Sequence, residues 1–131
     1  MFRRSALLAV FLSKTWTTDA QAAPGDPVAG ATLAAACSAC HALESGGKQK
    51  WGPSLVGVLD RPVGAQEGYR YGSYLEAGRE AGDTWTEPRL RAWLVDSKAV
   101  ARAADARTKM PAQQLTDDQL DDLVSYLRSL R

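Results

Sequence analysis

The chain is poor in groups that bind metals or cross-link: among 131 residues it has one His, two Cys and two Met. One His and two Cys are too few for a four-coordinate zinc site, and two cysteines cannot make a disulfide-dense scaffold. An excess of one charge is missing too, since 16 basic and 15 acidic residues give a net charge of +1. That balance removes nucleic acid as a default partner. Long apolar runs are also lacking: Ala6–Leu12 is seven residues and Lys14 follows it, whereas a bilayer core needs roughly 20. No permanent membrane anchor is expected.

What is there begins with an export signal. Met1-Phe2-Arg3-Arg4 is a basic start, the apolar run follows, and Ala20-Gln21-Ala22 is a small-x-small cleavage site, the three parts of a secretory signal peptide. The reading is a signal peptide over residues 1–22, cleaved after Ala22, and a mature domain over 23–131 in the periplasm. Cleavage removes Arg3, Arg4, Lys14 and Asp19, which leaves 13 basic and 14 acidic residues and a charge of −1. A chain of this length builds one modest core.

The mature chain reads as all-α. Asp26 before Pro27 is an N-cap with Pro at the first helical position, and the Ala-rich helix it starts runs through Leu33 to the cysteines. Between Glu44 and Gly72 glycines and prolines are too dense for regular structure, so that long loop needs a ligand or cofactor to organise it. Thr86 is placed to cap a helix carrying Leu90, Trp93 and Leu94 on one face. Thr116 and Gln119 form a capping box, Leu115 and Leu120 a hydrophobic staple, and Leu120, Leu123, Val124 and Leu127 an apolar stripe. No segment alternates as a strand would.

Chemistry concentrates in Cys37-Ser38-Ala39-Cys40-His41. Two thiols three residues apart match the two vinyl groups of a c-type haem, and the adjacent His is carried under the ring to the iron. The run uses both cysteines and the one histidine at once. A redox dithiol is the competing reading, but it belongs beside a β-α-β pattern, and none is present. Iron then needs a sixth ligand or an open site. Without a second His, and with Met1 leaving in the signal peptide, Met110 is the remaining thioether. Lys109-Met110-Pro111 taken alone also fits a surface Met in a polar linker; the position between two helices, about 70 residues after the Cys-x-x-Cys-His run, fits a ligand.

The residues resemble class I cytochromes c of the mitochondrial and soluble bacterial type. Cys40-His41-Ala42-Leu43-Glu44-Ser45-Gly46-Gly47-Lys48 and Gly52-Pro53-Ser54-Leu55-Val56-Gly57 match in type and spacing. So do Arg61, Gly64, Gly68-Tyr69-Arg70-Tyr71, Trp85, Thr108-Lys109-Met110 and Leu123-Val124-Ser125-Tyr126-Leu127. The resemblance covers essentially all of 24–131 and implies several helices wrapped around one haem c, with one-electron transfer as the activity and no enzymatic reaction. It further implies thioethers at Cys37 and Cys40, His41 as proximal ligand donating to the Pro53 carbonyl, and Met110 on the other side of the iron. Arg61, Tyr71, Trp85 and Thr108 would bind the haem propionates. Gly30 would meet the Leu123, Tyr126 and Leu127 face where the first and last helices cross.

Three departures from the family pattern stand out. Ala106-Arg107 replaces a common Pro-Gly, and Ser97–Asp105 is long and Ala-rich, so the loop delivering Met110 is expected to be helical and less rigid. Trp93 stands where a Tyr often faces the Met sulfur, and Ala34 where a large aromatic is common. The reading overall is a soluble, monomeric monohaem carrier that shuttles electrons between redox proteins docking transiently at the haem edge. The alternatives are a fixed subunit of a larger oxidoreductase and, with a weak Met110 bond, a gas-binding or peroxidatic haem protein. Lys48, Lys50, Lys98 and Lys109, with Arg102 and Arg107, are the candidate cationic docking residues.

Overall fold

The computed structural model describes residues 24–131. The signal peptide and its cleavage after Ala22 lie outside the described residues. Among the described residues there are four α-helices: α1 (Pro27–Ala34), α2 (Ser73–Glu80), α3 (Glu87–Ala103) and α4 (Asp117–Ser129). A 3-10 turn over Cys37–Ala39 follows α1, so the first helix loosens just before the cysteines. The only extended pairing among the described residues is an isolated antiparallel bridge between Pro62 and Thr84.

The helix ends show why these segments are helical. Asp26 accepts from the Val28 N–H at 2.8 Å with Pro27 next in line, which satisfies a free donor of the first turn. Thr116 and Gln119 complete a reciprocal capping box at α4. Thr86 is the N-cap of α3 with an extended backbone, as expected, but its side chain makes no capping bond, and Pro88 in the first turn supports the helix start. α2 was not signalled by the sequence. Its N-cap is Gly72, without a capping side chain, and it spans two turns.

Helix α1 crosses α4 at a seam that only a glycine permits. A Cβ on Gly30 would lie 2.0 Å from the Asp122 carbonyl oxygen and 2.8 Å from Tyr126 Cβ, so the two backbones are in direct contact. The Asp26 N–H donates to the Asp122 carboxylate at 2.7 Å and pins the same crossing. Leu120, Leu123, Val124 and Leu127 turn the apolar face of α4 into a core shared with Ala34, Leu90, Trp93 and Leu94. Fully burying each large apolar side chain stabilises by about 1.5–3 kcal/mol.

The Ala-rich segment after Trp93 is helical, as expected, but it is not a smooth continuation. Asp96 has non-helical backbone angles (φ −153°, ψ 83°) and breaks α3. Its carboxylate accepts from the Ala99 N–H at 2.8 Å, acting as the N-cap of the second half. Helix α3 thus turns at Asp96 and sets Ser97 and Lys98 toward the Met110 loop. Among the described residues no helix is long and apolar enough to cross a membrane.

Candidate functional site

A cavity of about 460 Å³ lies among these elements. All nine residues singled out from the sequence line it: Cys37, Cys40, His41, Pro53, Arg61, Tyr71, Trp85, Thr108 and Met110. They come from the 3-10 turn, the long loop, the Pro62–Thr84 bridge region and the segment between α3 and α4. Leu90, Trp93 and Leu94 of α3 and Leu127 of α4 form apolar wall. The Gly/Pro-rich loop that lacked regular structure in the sequence lacks it in the fold and wraps this cavity instead.

The 3-10 turn sets Cys37 and Cys40 one turn apart, with the Cys40 and His41 N–H groups both donating to the Cys37 carbonyl at 3.0 and 2.9 Å. His41 Nδ1–H donates to the Pro53 carbonyl at 2.6 Å, which fixes the tautomer and leaves Nε2 as the free acceptor. Burial pushes the imidazole below its ordinary pKa, the Pro53 carbonyl opposes this, and the charge of Lys50 adds to it; a neutral ring is the form that ligates metal. Burial likewise raises the Cys37 thiol. Gly52 makes the His41 placement possible, because a Cβ there would lie 2.6 Å from Cε1 and 2.8 Å from Nδ1 of the ring.

Arg61 supplies the charged corner. Nη1 donates to the Val56 carbonyl at 2.9 Å and Nη2 to the Ser54 carbonyl at 2.7 Å, while Nε is buried with no partner. Burial lowers the guanidinium pKa, with Tyr71 partly offsetting the shift; arginine stays charged regardless. Tyr71 is buried and its hydroxyl accepts from the Gln66 N–H at 3.0 Å, so its own proton is left to donate. Trp85 is buried beside Trp93, ring centroids 5.7 Å apart and edge to face, and Trp93 stacks on Tyr74 at 5.2 Å.

Met110 is half-buried and held through its main chain. Its N–H donates to Thr108 Oγ1 at 3.2 Å and its carbonyl accepts from Ser97 Oγ at 2.8 Å. Ser97 is fully buried, and the neighbouring Lys98 Nζ donates to the Thr108 carbonyl at 2.8 Å. The loop expected to be less rigid is therefore tied to α3 at two adjacent residues. Sequence reasoning missed this brace, and the signal was available: Asp96-Ser97 in mid-helix is a capping pair, which favours a break in the helix.

The residues fit a haem c. The cavity is mostly aromatic and aliphatic, as a flat macrocycle requires, two thiols and a neutral imidazole stand in the attachment order, and a buried guanidinium N–H awaits an acceptor such as a carboxylate. A helical fold with that constellation defines a c-type haem protein.

The cytochrome c family model matches residues 27–131. Cytochrome c2 of Rhodospirillum rubrum is 32% identical over 126 residues, covering 93% of this chain and 93% of that protein. Cytochrome c-550 of Novispirillum itersonii is 33% identical over 111 residues, 82% of this chain and 100% of its own. Among solved structures, cytochrome c2 from Rhodospirillum centenum superposes with a TM-score of 0.71 at 34% identity, covering 81% of this chain and 98% of that one. The chain belongs to the cytochrome c family, of class I and monohaem type. It is an electron-carrying cytochrome rather than an enzyme, and its cofactor is haem c bound covalently through a Cys pair; Cys37 and Cys40 are the only cysteines it has.

Proposed function

We propose that residues 1–22 export this chain to the periplasm and that the mature domain, 23–131, is a monomeric carrier shuttling single electrons between redox proteins through a haem ligated by His41 and Met110. The observation that carries the reading is the convergence of nine sequence-chosen residues, scattered from position 37 to position 110, on one cavity. Haem c supplies a single iron couple that takes one electron from a donor and yields it to an acceptor, with no atom gained or lost.

The chain's own groups account for the rest. Cys37 and Cys40 hold the ring as thioethers. Pro53 orients His41 and makes it a better donor to the iron. Met110 is presented by a loop braced at Ser97 and Lys98 and His41 is held by Pro53, so the two side chains that would ligate the iron are positioned in advance. Arg61 Nε, the Tyr71 hydroxyl, Trp85 and Thr108 answer the propionates. The aliphatic and aromatic wall excludes water and, with soft thioether ligation, favours the ferrous state. With His41 and Met110 both committed to the iron, the site would leave no place for peroxide or a gas.

The test is spectroscopic. The exported protein keeps its haem through acid-acetone extraction and denaturing electrophoresis, and its oxidised form shows the weak near-infrared sulfur-to-iron band. Met110→Ala abolishes that band. Loss of haem on extraction refutes the thioethers at Cys37 and Cys40, and an unchanged spectrum in the variant refutes Met110.

A further inference from the structure

Trp51 is the only exposed aromatic side chain among the described residues, at 87% exposure. It lies at the mouth of the cavity, next to Gly52 and the His41 ring, and lines the cavity together with Tyr69 and Lys109. An indole left in water forgoes the burial that aromatic side chains normally gain, and nothing in the fold requires a Trp there. Its main chain, by contrast, is fixed: the Tyr69 hydroxyl donates to the Trp51 carbonyl at 2.8 Å.

Cations surround it. Lys50 precedes it and its Nζ donates to the Ser38 carbonyl at 2.5 Å, Lys48 is exposed two residues earlier, and Lys109 Nζ sits 5.7 Å from the Tyr69 ring centroid while donating to the Arg70 carbonyl. Lys109 lines the cavity with the indole, and Lys48 and Lys50 lie just before it in the chain, so positive charge borders Trp51 on two sides. Of the candidate cations only Lys109 lines this cavity, while Lys48 and Lys50 line an adjoining concavity that shares Gly52 with it, and Lys98, Arg102 and Arg107 line neither.

We infer that Trp51 is the apolar anchor of a docking face for an acidic redox protein, one that offers an apolar depression ringed by carboxylates. The deduction rests on the electron-carrier reading and extends it to the partner. Interfaces draw their affinity from a few central aromatic residues with polar groups around them, and a cationic rim selects an acidic partner and accelerates encounter. Trp51 then fixes which way the partner sits on the cavity mouth, while the lysines set how often it arrives.

The test compares two reductants of the intact holoprotein by stopped flow: a reduced flavodoxin, as an acidic protein probe, and ascorbate, as a small one. Trp51→Ala is expected to slow reduction by flavodoxin roughly five-fold or more and by a clearly larger factor than reduction by ascorbate, with Trp51→Phe close to wild type. Lys50→Gln is expected to weaken the salt dependence of the flavodoxin rate. Flavodoxin rates indifferent to Trp51, or equal slowing with both reductants, would overturn the anchor. So would a Trp51-dependent dimer in sedimentation velocity, which reassigns the face to a second copy of this chain. Wild-type protein that neither reagent reduces refutes the electron carrier itself, a result distinct from all of these.

Discussion

Ser97→Ala isolates the brace on the Met110 loop. Ser97 Oγ is 2.8 Å from the Met110 carbonyl oxygen and the residue is fully buried, so the substitution removes one hydrogen bond with almost no change in volume. Leaving a buried acceptor unpaired costs about 1–3 kcal/mol. Because Met110 is half-buried, water partly compensates, and about 1–2 kcal/mol is the expected share. The cost falls on the closed loop alone, since an opened loop hydrates its carbonyl with or without Ser97. An external ligand that competes with Met110 for iron should therefore bind about 5- to 30-fold more tightly in the variant. Imidazole titration of the oxidised protein, followed through the near-infrared sulfur-to-iron band, reads this directly, and Ser97→Thr should restore most of the wild-type affinity. Guanidinium unfolding of the same samples separates loop opening from global stability. Imidazole affinity within two-fold of wild type, alongside a lowered unfolding midpoint, would show that Ser97 only packs.

Three further outcomes follow from single positions. Gly52→Ala places a Cβ 2.6 Å from His41 Cε1, so the ring must turn away from the Pro53 carbonyl; the yield of attached haem falls and the reduction potential of what forms rises, because the ligand loses basicity, and a wild-type yield and potential would refute the placement. Gly30→Ala puts a methyl 2.0 Å from the Asp122 carbonyl oxygen and separates α1 from α4, at a cost of about 3 kcal/mol in guanidinium unfolding, the upper end for overpacking. Burial, then Tyr71, raises the Tyr69 phenol above its ordinary value. The unfolded chain therefore releases that proton first, and stability present below about pH 10 declines as pH rises through the folded value. Tyr69→Phe should flatten that part of the curve, measured as unfolding midpoints against pH, and an unaltered curve would remove Tyr69 as its source.

Where the sequence carried a local physical signal, the fold followed it. Asp26-Pro27 and Thr116 with Gln119 are helix starts written in side-chain chemistry, and both caps form. The haem-attachment run and the Leu120 to Leu127 stripe are patterns of spacing, which survive without knowledge of the third dimension. Helix α2 was silent because a glycine caps it and two turns are too short to show a period. The break at Asp96 did carry a local signal, the Asp96-Ser97 capping pair, but the helix-forming residues on both sides of it outweighed that signal. The site's finer parts depend on contacts between distant residues: that Arg61 reaches Ser54 and Val56, or that Ser97 meets Met110 thirteen residues on, is decided by how the loop closes.

The same contacts explain why a chain with so little regular structure holds one conformation around a redox centre. Four helices cover less than half of the described residues, and only α1 with α4 makes an extensive helix pair. The remaining core residues, Trp85, Leu90, Trp93 and Leu94, face the cavity as well as one another. Although the cavity opens to solvent beside Trp51, its deeper wall is made of these same core side chains, so a group that fills it would complete the apolar packing rather than sit on the surface. The group that fills it is thus part of the core. The long loop gains its order the same way, from Arg61, Tyr69 and Tyr71 closing on backbone groups around the cavity. Residues that fold the chain and residues that hold the iron's surroundings still are therefore largely the same ones. A carrier needs that identity, because every ångström its ligands move on reduction would raise the barrier to passing the electron on.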